Sequence, residues 1–343
     1  MGSTLPSAET FARTFSHLDL QGSRELLHHI YTRLKRNKAL GKLFGFNVAV
    51  VDGHETSSSY KCRCEGCLER MVEKKKGRVK QYYHRNTTLM LITPGLKIML
   101  DAEEQRPGED ETGCAARMFE RALKEFPRAF DVVLCDALYA RAPFIRMLQS
   151  HGKHIVCVLK DDRRDLIKDA KGLFAWQQPL CYNIGKTSYR VWDEEDFLLW
   201  DGSDIPLRVV KSVETKTSID PAHTRGEVKT ETTTWMWMTT LSKSVVDTKT
   251  FVSLAHSRWS IENNGFKEMV HLWHGDHVYN HNPISITAFW LTTMIAFNIL
   301  HAFVELNVKP IFRRRHTFLY FTEMVKAGIY VEDAQYAEYT APP

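Results

Sequence analysis

The stretch that decides the fold is FDVVLCDALYA at residues 130–140, in which an apolar run ends directly at Asp136. A short apolar run rich in valine predicts a buried strand, so the acid lies at the carboxyl end of that strand. The same pattern occurs earlier, in FNVAVVDG at residues 46–53, where Asp52 follows the run. Because open parallel sheets bind ligands beyond the carboxyl ends of their strands, the two aspartates are candidate site residues.

Strand and helix patterns alternate around these two runs. Residues 81–92 and 96–101 predict two further strands, and Thr93-Pro94-Gly95 between them is a turn signal. Residues 109–126 predict an amphipathic helix, and residues 154–159 predict a third buried strand. This alternation is typical of a sheet that contains parallel pairs and carries helices on its faces, so we expect an α/β fold.

The pattern changes over residues 176–250. Apolar and polar residues alternate there, as in TETTTWMWMTT at 230–240, which predicts antiparallel strands. Residues 251–269 then return to a helical pattern that carries Arg258 and Glu262. The sequence therefore predicts a β-rich insertion between Asp136 and a helix that bears Glu262.

Composition places the chain among ordinary soluble globular proteins. Of its 343 residues, 43% are hydrophobic and 25% are charged, and the formal net charge is +5. This mild basic excess is compatible with a nucleic-acid partner. The seven cysteines are odd in number and scattered, which argues against a disulfide framework. The first residues lack the apolar core of a signal peptide.

One apolar stretch, residues 284–304, is long enough to span a bilayer. It also contains polar side chains, namely Ser285, Thr287, Thr292, Thr293, Asn298 and His301. Such scattered polar residues are more typical of a buried helix in a protein core than of a membrane span. We therefore expect a protein without a membrane partner that resides in the cytoplasm.

The three acids Asp52, Asp136 and Glu262 suit a divalent-metal site. Carboxylates gathered around one point repel one another unless a cation lies between them. Mg²⁺ takes oxygen ligands and binds through a few carboxylates together with substrate phosphates. Two such ions serve phosphodiester chemistry, in which one oxygen attacks and another leaves. A single acid at a strand end, by contrast, is more often a solvated cap than a catalytic residue.

The sequence resembles insertion-sequence transposases that carry a DDE catalytic domain, over about residues 5–306. The resemblance rests on VVDGHE (50–55), CEGCLER (64–70), QYYHR (81–85), RPGEDE (106–111), FDVVLCDALYA (130–140), VLKDDRRDL (158–166) and RWSIENNGFKE (258–268). In that family the first two acids follow strands, and the third lies on a helix after a β-strand insertion. Those positions fall here on Asp52, Asp136 and Glu262.

The resemblance implies an RNase H-like mixed sheet flanked by helices and a polynucleotidyl transferase that uses Mg²⁺ or Mn²⁺, with two ions. The change of pattern along the chain divides it into five segments: an N-terminal helical segment (1–45), the first part of the catalytic core (46–175), the β-rich insertion (176–250), the core part that bears the glutamate (251–310) and a C-terminal tail (311–343).

The family branch with a β-insertion often has a signature around its glutamate. A tyrosine lies three residues before an arginine, the arginine lies four before the glutamate, and a lysine lies seven after it. Arg258 and Glu262 match this spacing, whereas Ala255 and Met269 stand at the tyrosine and lysine positions. Lys267 is close to the second position and is a candidate substitute. Arg258 and Lys267 are expected to hold DNA phosphates or to steady the glutamate.

A second constellation is the Cys-x₂-Cys motif of Cys64 and Cys67, which His54 and His84 flank. Thiolates and imidazoles are zinc ligands, so Cys64, Cys67 and His84 form a possible Zn²⁺ site. A second Cys-x₂-Cys is missing from the sequence. Reduced cysteines with a structural role are therefore the alternative.

Basic residues outside the acid motifs are candidate phosphate contacts. Lys74, Lys75 and Lys76 form a compact basic loop, and Lys160 and Arg163 follow the third buried strand. Ordinary solvated surface is the alternative for each group.

The expected function is a prokaryotic transposase that nicks transposon ends and joins the freed 3′-hydroxyl to target DNA. Its partners would be double-stranded DNA, both transposon ends and target, and a second copy in a homodimer, with the protein associated with the nucleoid. The alternatives are a decayed relative that only binds DNA and a different nuclease on the same fold.

Overall fold

A computed structural model describes residues 7–75, 77–160, 165–198, 205–219, 228–278 and 280–331. The fold is mixed α/β, with a large mixed sheet and flanking helices, and this confirms the fold class predicted from the sequence. The chain separates into two compact units. The first unit comprises Met1–Gly41, Gly53–Glu109 and Glu262–Pro343, and the second comprises Lys42–Asp52 and Asp110–Ile261.

The strands within the described residues are β1 (Val48–Ser59), β2 (Leu68–Lys74), β3 (Gly77–Ile92), β4 (Lys97–Glu104), β5 (Val132–Cys135), β6 (His154–Val158), β7 (Leu180–Ile184), β8 (Thr187–Phe197), β9 (Leu207–Ile219) and β10 (Val228–Thr239). The helices are α1 (Ala8–Ser16), α2 (Leu20–Arg36), α3 (Glu111–Glu125), α4 (Ala142–Ser150), α5 (Asp165–Phe174), α6 (Thr248–His256), α7 (Lys267–His271), α8 (Pro283–Asn307), α9 (Pro310–Arg315) and α10 (Phe318–Val331).

The second unit contains the parallel strands that the sequence predicted. The beginning of β1 pairs with β5, and β5 pairs with β6, both in parallel. β10 then adds antiparallel to β6 and is followed by β9, β8 and β7, each antiparallel to its neighbour. The predicted antiparallel insertion is therefore present, and it continues the sheet of this unit.

Buried apolar side chains explain why these short runs form central strands. All four residues of β5 are buried, and Val48 to Val51 of β1 are fully shielded from solvent. Strands that are apolar on both faces need cover on both faces, which helices supply in parallel sheets. α3 presents Met118, Phe119 and Ala122 on its buried side, and Asp110 caps its first turn by accepting a hydrogen bond from Gly113 N at 2.8 Å.

In the first unit, most of residues 54–78 is strand, although the polar, cysteine-bearing sequence there is more typical of a loop or a small appended unit. β1 continues to Ser59, and β2 forms an antiparallel hairpin with the first half of β3. β4 pairs with the second half of β3. The polar residues of β2 lie on an exposed ribbon, where burial imposes no alternation of apolar side chains.

α8 is the one described helix that is long and apolar enough to cross a membrane. In this structure 61% of its most apolar stretch is buried within the protein, and it packs on β4, α1 and α2. Asn298 pairs with both backbone groups of Met99 on β4: Met99 N donates to Oδ1, and Nδ2 donates to Met99 O, each at 2.8 Å. Asn298, a polar residue in this apolar helix, thus satisfies two backbone hydrogen-bonding groups at the edge of β4.

The helix predicted over residues 251–269 is present, but not all of its turns are α-helical. α6 gives way to a 3₁₀ turn at Ser257–Trp259 at the end of the second unit. The first unit resumes with a π-helix at Glu262–Phe266, which α7 follows. π-turns occur mostly as single-turn insertions in α-helices, frequently at functional sites. The helical pattern predicted over residues 251–269 thus contains a 3₁₀ turn and a π-helix.

Candidate active site and metal centre

Strand register brings Asp52 and Asp136 together within the second unit. β1 and β5 run parallel with Val50 opposite Leu134. Asp52 and Asp136 each follow two residues later, and neighbouring strands lie about 4.8 Å apart. The two acids therefore occupy equivalent positions on adjacent parallel strands, Asp136 directly after the end of β5 and Asp52 within β1, just beyond its parallel-paired part.

Arg258 supplies the positive charge next to Asp52. It lies in the 3₁₀ turn of the second unit, is only 4% exposed, and places Nη1 at 3.4 Å from Oδ2 of Asp52. Its guanidinium carbon also lies 4.6 Å from the centroid of the Trp259 ring. Burying an arginine is costly unless an anion is close, so the two charges stabilise each other in the fold.

Asp136 is fixed by a helix cap and by a lysine. It accepts a hydrogen bond from Ala137 N at 2.7 Å, which caps the 3₁₀ turn Ala137–Tyr139, and Lys160 Nζ lies 3.1 Å from Oδ1. Burial acts to raise the pKa of Asp136, but the Ala137 N–H, Lys160 and Arg258 outweigh it, and the pKa lies below its ordinary value. Asp136 is thus ionised at neutral pH, as a metal ligand must be.

Glu262 is half-buried and opens the π-helix of the first unit. The exposed Lys267 donates from Nζ to Oδ1 of Asn263 at 2.7 Å. The two positions that depart from the family signature are both buried, with Met269 fully enclosed and Ala255 1% exposed. A lysine at 269 would place a charge in an apolar environment, so the cation that follows Glu262 on the surface is Lys267.

The carboxylates fit a hard divalent cation. The donors of Asp52 and Asp136 are oxygens, which Mg²⁺ and Mn²⁺ prefer, and no thiolate or imidazole is among the predicted ligands. Arg258 lies beside Asp52, and Lys160 lies beside Asp136. Their positive charges stabilise the ionised carboxylates, as the charge of a bound metal ion would. The negative charges of Asp52 and Asp136 are thus compensated by basic side chains of the protein. The sequence pattern alone indicated only that the acids would repel one another.

A family model for the transposase DDE domain matches residues 112–299, from α3 into α8. The chain belongs to the transposase DDE domain family. The resemblance predicted from the motifs is thereby confirmed. The matched range contains Asp136, Arg258 and Glu262 and begins after Asp52, so the placement of Asp52 beside Asp136 rests on strand register. No curated protein matches the chain.

The basic residues of this transposase DDE domain protein lie in different surroundings. Lys74 ends β2, is exposed, and holds Nζ 3.3 Å from the centroid of the Tyr60 ring. Lys75 is exposed in the hairpin turn. Lys76 and Arg163, which the sequence also named as DNA contacts, lie outside the described residues.

The first unit contains a compact cluster of four ligand side chains: Cys64, Cys67, His84 and His281. Sγ of Cys64 lies 3.7 Å from Sγ of Cys67, and each sulfur lies 3.3 Å from Nε2 of His84. Nε2 of His281 lies 3.1 Å from Sγ of Cys67. All four ligand atoms lie within 4.8 Å of one another.

His281 is the residue of this cluster that sequence reasoning missed. It lies 214 residues from Cys67 along the chain, and no local motif marks it among the 15 histidines. His54, which also flanks the cysteine motif, is not in the cluster. Its ring stacks instead on Phe266 and Trp290, with centroid distances of 4.7 and 5.4 Å.

Proposed function

We propose that this protein is an active DNA transposase that nicks transposon ends in double-stranded DNA and joins the freed 3′-hydroxyl to target DNA. The observation that carries the proposal is the matched register of Asp52 and Asp136, with Arg258 and Lys160 against them. Membership of the transposase DDE domain family supports DNA as the substrate. Two carboxylates at equivalent positions on adjacent parallel strands support metal-dependent phosphodiester chemistry.

Asp52, Asp136 and Glu262 are the proposed ligands of Mg²⁺ or Mn²⁺, with two ions per site. Such ions, when bound, activate the attacking oxygen and stabilise the leaving oxygen of the phosphodiester. Glu262 enters the proposal through the family pattern and through the π-helix that it opens. Its half-buried side chain begins the one described π-helix, a feature frequent at functional sites.

Arg258 and Lys160 have different proposed roles. Arg258 is buried and contacts Asp52, which favours positioning of that carboxylate over contact with a DNA phosphate. The side chain of Lys160 is 54% exposed beside Asp136, so it can both hold the carboxylate and meet a phosphate at the site. Lys267, Lys74 and Lys75 are exposed and are proposed to contact the DNA backbone, with Lys76 and Arg163 named by sequence alone.

Two copies are proposed to act on the two ends of one element, because each end requires a cleavage and a joining reaction. The protein is further proposed to act in the cytoplasm, at the nucleoid, with no membrane partner, and the packing of α8 within the first unit supports the last of these points.

The test is an assay of the purified full chain on linear DNA that carries the flanking ends of its element. With Mg²⁺ or Mn²⁺ we expect a nick at the ends and a joined product with a second duplex, and with Ca²⁺ we expect binding but little chemistry. Asp52→Asn, Asp136→Asn and Glu262→Gln should each lower nicking by about 10²-fold or more. Asp169→Asn, which changes an exposed acid on α5, is the matched control.

Each result decides between the proposal and its rivals. End-specific nicking followed by joining supports the transposase. Nicking without joining and without end preference would indicate a nuclease on the same fold. End binding by a folded protein without any cleavage would indicate a relative that has lost catalysis.

A further inference from the structure

We propose that Cys64, Cys67, His84 and His281 form a closed structural zinc site, separate from the carboxylates of the proposed active site. The four residues come from three places in the first unit: the segment between β1 and β2, strand β3 and the segment before α8. Two thiolates and two imidazoles are a set that selects zinc over magnesium. Four protein ligands leave no open position, which is typical of a structural site.

The distances match tetrahedral coordination. Zinc binds sulfur at about 2.3 Å and nitrogen at about 2.0–2.1 Å, so a tetrahedral site has sulfur–sulfur edges of about 3.8 Å and sulfur–nitrogen edges of about 3.5 Å. The observed sulfur–sulfur distance is 3.7 Å, and the observed sulfur–nitrogen distances are 3.3, 3.3 and 3.1 Å. One ion can therefore reach all four atoms after small shifts of the side chains.

The carboxylate of Glu104 orients the imidazole of His84 through the ring nitrogen that faces away from the sulfurs. His84 is 1% exposed, its Nε2 faces the two sulfurs, and its Nδ1 lies 2.6 Å from Oε1 of Glu104. Glu104 in turn accepts a hydrogen bond from Oγ1 of Thr287 at 2.9 Å. Zinc-bound histidines commonly donate their second ring nitrogen to a carboxylate, which fixes the tautomer and raises ligand basicity.

The backbone of the cysteine motif is also shaped for a metal knuckle. Cys64 N donates to Sγ of Cys67 at 3.2 Å. A side chain at Gly66 would place its Cβ 2.8 Å from Cγ of Pro283, the first residue of α8. The knuckle and the residue that follows His281 by two positions are thus packed in direct contact, and the glycine permits this approach.

Zinc binds cysteine as the thiolate, so loading of the site would be coupled to proton release. The bound ion would tie the hairpin of β2 and β3 to the segment that leads from α7 into α8. The site would therefore stabilise the first unit, whether or not the chain cleaves DNA.

The experiment measures metal content and stability of the purified full chain, prepared under reducing conditions without chelator. We expect about one zinc per chain by elemental analysis. After removal of zinc and addition of Co²⁺, we expect the absorption bands of tetrahedral cobalt with a thiolate-to-cobalt charge-transfer band. Removal of zinc should lower the melting temperature, and addition of zinc should restore it.

Variants identify the ligands. Cys67→Ser and His281→Asn should reduce zinc to less than about a tenth of an equivalent, whereas Cys62→Ser, an exposed cysteine outside the cluster, should retain it. His281→Cys should keep the metal and strengthen the charge-transfer band, which remains informative if the weaker variants fail to fold.

Wild-type protein without zinc, together with the absence of a tetrahedral cobalt spectrum, would overturn the site. Equal loss of zinc in Cys62→Ser and Cys67→Ser would assign the metal to other residues. These outcomes leave the proposed DNA chemistry untouched, because none of the four residues is a proposed ligand of the active-site metals.

Discussion

Asp52 and Arg258 show how the charge of a candidate metal ligand is handled in the fold. Arg258 is buried, and Nη1 of its guanidinium lies 3.4 Å from Oδ2 of Asp52. Removal of one partner of a buried ion pair strongly destabilises the fold, because the charge of the other partner stays buried. The two residues should therefore be coupled in stability even without a metal.

We expect Asp52→Ala to lower the free energy of unfolding by about 1–3 kcal/mol in the presence of chelator. A double-mutant cycle with Arg258→Met should give a coupling energy of about 1 kcal/mol or more, measured by urea unfolding. Asp165→Ala, at an exposed acid paired with Lys168, should change stability by about 0.5 kcal/mol or less. Stabilisation by Asp52→Ala would mean that repulsion between the acids dominates instead.

At the scale of elements, the insertion strands are joined to α6 by a buried ion pair. Arg208 on β9 binds Asp193 on β8 with two hydrogen bonds of 2.6 and 2.8 Å, and it also donates to the carbonyl of Val246 at 2.8 Å. Thr248, the first residue of α6, donates to Asp193 at 2.6 Å. The cluster thus connects two strands and a helix start.

Asp193→Ala should lower the free energy of unfolding by about 3 kcal/mol or more, because Arg208 would stay buried with no carboxylate in this cluster. Glu73→Ala is the matched control, since Glu73 and Arg78 form an ion pair in which both side chains are more than 70% exposed. That control should cost about 0.5 kcal/mol or less. Equal losses by chemical unfolding would show that burial does not govern these pairs.

Local patterns explain which elements the sequence could predict. The buried strand segments before Asp52 and Asp136 were predictable because four consecutive apolar residues precede each acid. The extension of β1 to Ser59 was not, because GHETSSS lacks the apolar alternation of a buried strand. The π-helix at Glu262 was also missed, since its extra residue per turn leaves no compositional mark.

At the scale of the whole molecule, long-range partners were beyond sequence reasoning. Cys64, Cys67 and His84 were named because they lie within one short stretch, whereas His281 joins them only through tertiary structure. The departures from the family signature at Ala255 and Met269 are likewise explained only by the structure, in which both positions are buried. The segment boundaries at residues 45, 175, 250 and 310 stay predictions.

The surroundings of α8 lead to a prediction about the intact protein. The protein should purify from the soluble fraction without detergent, because polar side chains of α8 form hydrogen bonds within the first unit. Asn298→Leu makes the helix more apolar but leaves two backbone groups of Met99 without this partner, so it should cost about 2 kcal/mol. Recovery only from membranes, or greater thermal stability of Asn298→Leu, would contradict this.

The division of the two units along the chain also fixes an order of events during synthesis. The second unit is complete in sequence once Ile261 has left the ribosome, whereas the first still awaits everything from Glu262 onward. Domains form as their residues emerge, at about 5–20 residues per second. A nascent chain can thus pair the parallel strands that lead to Asp52 and Asp136 while Glu262 is still unmade. On the proposed function, DNA cleavage cannot begin before the final segment of the first unit, which starts at Glu262, has been translated.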